Sequence, residues 1–204
     1  MTDADSTVLV TGATGFTGSV LARRLCSSGC RVRAIARQSS NRDALADLPI
    51  DWFVGDVYDD ATIEKAVDGV DYIFHVAAAY RSAGITDETY HRVHVESTQK
   101  LCAAALKLAP DLKRFVHFST VGVHGHIENP PADESAPFGP GDLYQDTKLE
   151  AELWIRDFAA KKPLPLTVIR PAAILGPGDD RLLKLFKFAK LPMVPIIGKT
   201  RGMY

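Results

Sequence analysis

A tyrosine and a lysine stand four residues apart in the segment Tyr144-Gln145-Asp146-Thr147-Lys148. On a helix this spacing places the phenol and the ammonium group on one face. A phenol with a pKa of about 10 is a poor acid or base at neutral pH, whereas a cation about 4 to 6 Å away favours the phenolate. The pair therefore indicates proton transfer by Tyr144 with assistance from Lys148. A surface pair on a helix is the alternative, because this spacing often arises by chance.

A second group of residues has the spacing of a phosphate-binding turn. The first run of β-branched residues leads straight into TGATGFTG, which places Gly12, Gly15 and Gly18 where a strand turns into a helix. Glycines there permit a tight turn, close approach of the backbone to a pyrophosphate, and close packing of helix and strand. The N-terminus of the helix favours an anion. We therefore predict a dinucleotide site that includes Phe16, with an ordinary glycine turn as the alternative.

The end of the second strand indicates which dinucleotide is bound. NAD-binding proteins place an acid there, about 20 residues downstream, on the ribose 2′-hydroxyl. This chain has Ala36-Arg37 instead. An acid would repel a 2′-phosphate, whereas the donor fork of Arg37 suits one. We predict that NADP(H) is preferred and that NAD(H) is the second choice; a solvated arginine is the alternative.

Two further strand ends supply predicted cofactor contacts. Asp56 and Val57 follow the third strand, where a carboxylate can accept from the adenine amino group and the Val57 backbone can meet the ring. A helix N-cap is the alternative role for Asp56. Ala77, Ala78 and Ala79 follow the fourth strand and leave room for a cofactor, with close packing as the alternative.

The elements that must position these residues follow an alternating pattern. Short β-branched runs are separated by helical patterns, which is typical of right-handed βαβ units and a parallel sheet covered on both faces. The fold class is α/β, a doubly wound parallel sheet. The predicted strands are Thr7 to Val10, Arg31 to Ala36, Asp51 to Val54, Asp71 to Val76, RFVHFS and LTVIR.

Two long helices and one loop complete this prediction. The first helix runs from Thr86 to Leu108 and ends because Pro110 follows, and the second runs from about Leu143 to Ala160. Gly122 to Gly141 is an irregular loop of the kind that carries chemistry.

Composition bounds the class of protein. The 204 residues are 46% hydrophobic and 24% charged, as in soluble globular proteins. A net charge of -1 gives no electrostatic footprint for nucleic acid. The N-terminus lacks a secretory signal and no run of about 18 apolar residues suggests a membrane span, so we expect a cytoplasmic protein without a membrane partner. Its three cysteines are too few for a disulfide framework.

The order of these motifs resembles the extended short-chain dehydrogenase/reductase family. The resemblance rests on TGATGFTG, Gly55-Asp56, HVAA, FVHFSTVGVHG, YQDTK and IRPAAILGPGD, and it covers essentially the whole chain. It implies a Rossmann fold in residues 1–175 and the start of a substrate-binding region in residues 176–204.

The resemblance also implies roles for individual residues. Counting back four positions from His124, which occupies the aromatic position of the family's V-Y-G motif, gives Thr120 as the residue that hydrogen-bonds the substrate oxygen. Tyr144 would transfer the proton. Lys148 would lower the pKa of Tyr144 and hold the nicotinamide ribose, and Pro171 would lie along the nicotinamide.

Two positions depart from the family pattern. His94 stands where the family usually has Asn on the long helix, which puts the usual proton-relay geometry in doubt. His124 replaces the usual tyrosine and forms an H-x-H with His126 that suggests a metal. No third ligand is in view, so we predict no metal and interpret both as substrate-loop residues. His75 and His117 lie inside strands, where we expect them to be packed.

The resemblance is strongest to the dihydroflavonol-reductase and 3β-hydroxysteroid-dehydrogenase branch. It implies an NADP(H)-dependent oxidoreductase that passes hydride between the nicotinamide and a small-molecule carbonyl or secondary alcohol. A nucleotide-sugar epimerase that retains NAD(P) is the second hypothesis. The family's dehydratases add an acid pair after the strand-five threonine, where this chain has Val121-Gly122. A non-catalytic NADP-sensing protein is the third, and Tyr144 and Lys148 argue against it.

The end of the chain leads to further expectations. The family continues beyond the position of Tyr204, so we expect a fragment that binds NADPH yet turns over substrates weakly or not at all. Its exposed sheet edge and apolar surface near Leu182 to Ile197 are expected to promote self-association. Arg181 to Lys190 predicts a helix over the substrate pocket, with contact to a membrane surface as the alternative. A homodimer through the two long helices is a further hypothesis.

Overall fold

The computed structural model describes residues 3–80, 84–179 and 183–190. The described strands are β1 (Thr7–Thr11), β2 (Arg31–Ala36), β3 (Asp51–Val54), β4 (Tyr72–His75), β5 (Arg114–Phe118) and β6 (Leu166–Ile169). The described helices are α1 (Phe16–Ser27), α2 (Asp60–Val67), α3 (Asp87–His91), α4 (Ser97–Leu108), α5 (Leu143–Lys161) and α6 (Leu183–Ala189). A π-helical turn spans Arg92–Glu96, and 3-10 turns span Asp43–Leu45 and Val121–His124.

The described strands form one parallel sheet in the order β3-β2-β1-β4-β5-β6. The strand order reverses between β1 and β4, which opens a crevice at the carboxyl ends of the strands. Thr11 pairs with His75 and His75 with His117 at this edge, so residues from three strands meet there. The predicted doubly wound sheet is confirmed, and the predicted strand ends differ from the observed ones by at most one residue.

Apolar side chains pack on both faces of the sheet because successive residues of a strand point to opposite sides. On one face Leu9 belongs to a core with residues of α2, α4 and α5, such as Ile63 and Leu101. On the other face Val8 and Val10 pack with residues of α1. These two layers hold the strand ends, and therefore the site, in fixed positions.

The predicted single helix from Thr86 to Leu108 is corrected by the structure. Thr86 is the N-cap of α3, but a π-helical turn separates α3 from α4. The hydroxyls of Ser97 and Thr98 donate to the carbonyls of Val93 and His94, and such back-bonding to the preceding turn disturbs a regular helix. Single π turns often occur at functional sites.

The chain divides into two compact units, Met1–Ala172 and Ala173–Tyr204. The first contains the sheet and all residues of the predicted site. The second contains α6, so the helix predicted within Arg181 to Lys190 is present, and its place over a substrate pocket stays a prediction. Of the stretch Leu182 to Ile197, where an apolar surface is predicted, residues 182 and 191–197 lie outside the described residues. Among the described helices, none has the length and apolar character needed to span a membrane.

Candidate active site

Helix α5 carries Tyr144 and Lys148 one turn apart near its N-terminus. Asp142 is the N-cap residue, and its side chain accepts a hydrogen bond from the backbone N–H of Gln145. A capped start fixes the first turn of a helix. The local sequence therefore fixes where α5 begins, and with it the positions of the phenol and the ammonium group.

The ammonium group of Lys148 is buried, with 3% of the residue exposed. Its Nζ donates a hydrogen bond to the backbone carbonyl of Phe118, the last residue of β5. Burial lowers the pKa of Lys148 to about 8, while the carboxylate of Glu152 opposes that shift. Because this pKa is above 7, Lys148 is mostly cationic at neutral pH, as a residue that assists a phenolate must be.

The Tyr144 ring is half-buried in a cluster of aromatic rings. Its edge-on neighbours are Tyr80, Tyr90 and His94, at centroid distances of 5.7, 6.5 and 5.4 Å. Perpendicular arrangements of this kind are favourable for aromatic pairs. The cluster fixes the phenol between the long helical segment and the residues that follow β4.

His94 connects three segments around that phenol. Its Nε2 accepts a hydrogen bond of 3.0 Å from the backbone N–H of Ala79, and its Nδ1 lies 2.9 Å from the hydroxyl of Thr147 on α5. Burial lowers the pKa of His94 to about 2, with smaller contributions from Lys148 and His75. The ring is therefore neutral with its proton on Nδ1. Where the family usually has Asn, this chain therefore has a buried histidine that connects the segment after β4 to α5.

A second buried histidine joins β1, β4 and α4. Nδ1 of His75 lies 2.8 Å from Thr11 Oγ1, and its Nε2 lies 3.1 Å from the hydroxyls of Ser97 and Thr98. Burial lowers the pKa of His75 to about 3. His117 on β5 is also fully buried, its ring 5.6 Å from that of His75. The prediction that both are packed inside the sheet is confirmed.

Thr120 lies where β5 ends and caps the 3-10 turn that follows. Its Oγ1 accepts a hydrogen bond of 3.1 Å from the N–H of Gly122, which leaves the hydroxyl proton to donate. Ser119 is buried, whereas Thr120 is only half-buried, and this favours Thr120 as the residue that meets a substrate. The Val121 N–H donates to the carbonyl of Pro171 at 3.1 Å, so Pro171 lies beside the same turn.

The geometry of the glycine turn fits a pyrophosphate. Gly12 has φ +70, and a Cβ there would lie 2.8 Å from the Ala77 backbone. A Cβ on Gly18 would lie 2.1 Å from the Gly12 carbonyl. Helix α1 begins at the half-buried Phe16 after Gly15, without a side-chain cap or an acid in its first turn. Its N–H groups can therefore receive an anion, and the turn fits the group.

The carboxyl ends of β2 and β3 form a cleft of about 450 Å³. Arg37 is exposed there, directly after β2. The position suits recognition of the adenosine part of a dinucleotide, because such ligands lie across the carboxyl ends of the strands. The sequence did not single out two of the polar residues in the cleft, Gln38 and Ser39. The full lining is Arg37, Gln38, Ser39, Val54, Gly55 and Asp56.

The alternative role of Asp56 as a helix cap does not hold. Asp59 is the N-cap of α2, and its carboxylate accepts from the N–H and the hydroxyl of Thr62. Asp56 is half-buried at the cleft, and Val57 beside it is buried. Their proposed contacts with adenine stay predictions.

The three alanines after β4 have different surroundings. The Ala77 N–H donates to Thr11 Oγ1, and its backbone lies against Gly12. Ala79 is buried and bonded to His94, whereas Ala78 is exposed. The close contact of the Ala77 backbone with Gly12 brings the segment beside the glycine turn, and the room that these alanines leave for a cofactor stays a prediction.

Sequence reasoning assigned no role to a buried ion pair next to this site. Glu152 is fully buried on α5, one turn after Lys148, and it accepts hydrogen bonds from Arg170. Burial raises the pKa of Glu152, but hydrogen bonds, chiefly from Arg170, outweigh it and leave that pKa below its usual range. Arg170 also donates to Nε2 of His124. The spacing from Lys148 was the available signal, since it continues one helix face to Glu152.

Contacts bring most of the predicted residues together. Hydrogen bonds and close approaches connect the glycine turn, the segment after β4, the Tyr144 and Lys148 turn of α5, and the turn at Thr120 and Pro171. Arg37, Asp56 and Val57 lie at the ends of β2 and β3, on the other half of the same carboxyl edge. Such an edge can hold a dinucleotide across its length and place a reacting group beside Tyr144.

Comparisons with known proteins agree with this geometry. The model of the NAD dependent epimerase/dehydratase family matches residues 8–189. The chain is 35% identical over 178 residues to "Sterol demethylase protein B" of Methylococcus capsulatus, which covers 86% of this chain and 53% of that protein. It is also 35% identical over 190 residues to the 3 beta-hydroxysteroid dehydrogenase/Delta 5-->4-isomerase of Mycobacterium tuberculosis, covering 88% of this chain and 50% of that protein.

A solved structure gives the same result. The dTDP-glucose 4,6-dehydratase DesIV from Streptomyces venezuelae, with NAD and TYD bound, matches with a TM-score of 0.79 at 28% identity, covering 88% of this chain and 60% of that one. The chain spans about half the length of the curated relatives it matches. Fold, motif order and relatives agree, and the chain belongs to the NAD dependent epimerase/dehydratase family, among the extended short-chain dehydrogenases/reductases.

Proposed function

We propose that this chain binds NADP(H) across the carboxyl edge of its sheet and serves an oxidoreductase that interconverts a carbonyl and a secondary alcohol. The observation that carries the proposal is the buried Lys148 ammonium, one helical turn from the Tyr144 phenol at that edge. A buried cation is costly and is retained where its charge has a function. Here that function is to favour the phenolate of Tyr144.

In the direction of reduction, Tyr144 donates a proton to the carbonyl oxygen and Thr120 donates a hydrogen bond to the same oxygen. In the direction of oxidation, Tyr144 accepts the proton of the alcohol. The bound nicotinamide supplies or takes up the hydride. Lys148 holds its charge near Tyr144 in both directions, and Pro171 borders the site beside the Thr120 turn.

The cleft at Arg37 supports NADP(H) as the preferred cofactor. Arg37 is exposed at the end of β2, and Ser39 in the same cleft adds a hydroxyl donor. A guanidinium fork and a hydroxyl are suitable donors for a 2′-phosphate. An acid at this position would instead favour the 2′-hydroxyl of NAD(H).

The side chains near Tyr144 support a substrate with an apolar body. Tyr80 is exposed beside Tyr144, and Val121 is exposed directly after Thr120. No acid stands at Val121 or Gly122, so the acid pair that β-elimination requires is missing there. Relatives named for sterol and hydroxysteroid chemistry fit the same class.

A nucleotide-sugar epimerase is the second candidate, favoured by membership of the NAD dependent epimerase/dehydratase family. The two functions predict different behaviour of the cofactor. An epimerase keeps its NAD(P) through a catalytic cycle, whereas a reductase exchanges it. Purified protein should therefore carry little cofactor and should oxidise added NADPH, at the low rate expected of this chain, when given ketones or aldehydes. Retained NAD(P) together with epimerisation of a nucleotide sugar would favour the second candidate.

Cytoplasmic localisation and a homodimer through the two long helices are part of the proposal. Leu153 on α5 is exposed and would lie in a dimer contact made through that helix. Light scattering of the purified chain tests the dimer. Leu153→Glu should convert a dimer that uses this face into monomers.

A further inference from the structure

Glu152 is the most deeply buried carboxylate of the described helix α5, with 0% exposure. Both of its oxygens accept hydrogen bonds from the Arg170 guanidinium, at distances from 2.5 to 3.2 Å. Burying an ion pair often gains nothing over an apolar pair of similar volume. Stability alone therefore does not explain why this helix face, one turn after Lys148, carries an acid.

The other end of the Arg170 guanidinium reaches two further segments. Its Nη1 donates to His124 Nε2 at 3.0 Å, in the turn after Thr120, and to the Glu134 carbonyl at 3.2 Å. The guanidinium also lies 5.1 Å from the centroid of the Phe138 ring. One planar group thus joins α5, the Thr120 turn and the segment of residues 126–141, which we call the substrate-side segment.

His124 holds this segment through contacts with Pro137 and Phe138. Because His124 Nε2 accepts from Arg170, the neutral ring carries its proton on Nδ1, which donates to the Pro137 carbonyl at 3.2 Å. The His124 ring also stacks on Phe138, at 5.4 Å. With both nitrogens engaged, His124 is not a spare proton donor.

The substrate-side segment then returns to the turn. The N–H of Gly139 donates to the Val123 carbonyl at 3.0 Å. Gly125 has φ +64, and a Cβ there would lie 1.9 Å from the Gly139 carbonyl. The C-terminal part of the segment therefore contacts the turn that precedes the segment, and Arg170 ties the middle of the segment to the helix that carries Tyr144.

We propose that Glu152 and Arg170 form a positioning pair that locks the Thr120 turn and the substrate-side segment onto helix α5, so that capture of the carbonyl substrate depends on the pair and cofactor binding does not. The part about substrate capture rests on the proposed function. Neither residue touches reacting atoms. Both act through His124, Thr120 and the backbone of the segment.

A double variant, Glu152→Leu with Arg170→Leu, separates this role from general stability. Removing both charges together leaves neither partner of the pair uncompensated, so the melting temperature should stay near that of the unchanged protein. The double variant also removes the carboxylate that raises the pKa of Lys148, and Arg170→Lys, which keeps Glu152, separates that effect from the role of the pair. Backbone amides of residues 121–141, including that of Gly139, should exchange with deuterium about tenfold faster, because local opening is set by local contacts. Amides of β1 to β4 and the dissociation constant for NADPH should not change. Arg156→Leu is the matched control, because Arg156 is an exposed partner of the same Glu152 carboxylate.

Arg170→Lys gives a second, milder test. A lysine keeps a cation beside Glu152 but lacks the fork that reaches His124 and Glu134 at the same time. It should also speed exchange in residues 121–141 and, where turnover is measured, raise KM for the carbonyl about tenfold with a smaller change in kcat. If Arg170→Lys left both the exchange rates of residues 121–141 and the KM for the carbonyl unchanged, the proposal would be overturned.

Unchanged exchange of residues 121–141 in the double variant would overturn the proposal as well. So would faster exchange throughout the sheet together with weaker NADPH binding, because the pair would then be a general stabiliser. Exchange and cofactor binding need no turnover. A protein that reduces no carbonyl would contradict the proposed function, and the exchange data would still decide the role of the pair.

Discussion

The imidazole of His94 accepts a hydrogen bond of 3.0 Å from the backbone N–H of Ala79. The contact joins the π-helical turn to the segment that follows β4, and Thr147 continues it to α5. A neutral ring is required, because a protonated Nε2 could not accept from that N–H. Burial secures this by lowering the pKa of His94 to about 2.

Replacing His94 by Phe tests whether the hydrogen bond from Ala79 to His94 stabilises the fold. A phenyl ring fills similar volume but cannot accept from the Ala79 N–H, so a buried donor is left unpaired. The free energy of unfolding should fall by about 1 to 3 kcal/mol, measured by urea titration. His126→Phe, at an exposed position of the same residue type, is the control and should change stability little. Equal stability of His94→Phe and the unchanged protein would contradict the role.

His117 should make the protein sensitive to acid. Burial holds its pKa well below 6.5, so the folded state excludes a proton that the unfolded state binds below about pH 6.5. Stability is therefore lost as pH falls. Neither ring nitrogen has a hydrogen-bond partner among the described residues, so an apolar ring can replace it at little cost.

His117→Phe should accordingly be more stable than the unchanged protein at pH 5, by about 2 kcal/mol, with a much smaller difference at pH 7.5. Urea titrations at the two pH values measure this. A difference between the two proteins that does not depend on pH would show that His117 does not stay neutral.

Lys148 gives a pH dependence of the same sign at alkaline pH. Its folded pKa of about 8 lies below the ordinary 10.5, so between these values the unfolded state binds the extra proton and rising pH favours the folded state. Relative to Lys148→Met, the unchanged protein should gain about 3 kcal/mol of unfolding free energy from pH 8 to 10.5. A constant difference across this range would mean that Lys148 titrates as in water.

Arg37 should set the choice of cofactor. NADPH should bind at least about tenfold more tightly than NADH, because a charge-assisted bidentate contact contributes on the order of 1.5 to 3 kcal/mol. Arg37→Asp should reverse the preference, and Arg42→Asp, a nearby charge change outside the residues that line the cleft, is the control. Calorimetry gives the six dissociation constants of the three proteins for the two cofactors. Equal constants for both cofactors in the unchanged protein would contradict the assignment.

The sheet, the glycine turn and the Tyr144 and Lys148 pair could be predicted because their sequence signals are local. Strands, the glycine turn and the spacing from Tyr144 to Lys148 depend on neighbouring residues and short periods. The π turn was missed because its extra residue depends on Ser97 and Thr98 bonding back to the helix.

Contacts between distant residues were harder to predict. Arg170 and Glu152 are 18 residues apart, and His94 and Thr147 are 53 apart. Only the folded sheet shows that these groups meet. His94 and His124 were recognised as departures from the family pattern, but their hydrogen-bond roles could not be read from residue type.

Transfer of deuterium from NADPH labelled at the reactive nicotinamide carbon tests the central claim most directly. The chain is incubated with labelled NADPH and a panel of apolar ketones, and the alcohols are analysed by mass spectrometry. Because this chain is expected to turn over substrates weakly, we predict a low but detectable yield of deuterium on the former carbonyl carbon. The label should be lost in Tyr144→Phe, which should still bind NADPH because only the phenolic hydroxyl is removed. Tight NADPH binding without any transferred deuterium, or transfer at the same rate in Tyr144→Phe, would contradict the proposed function.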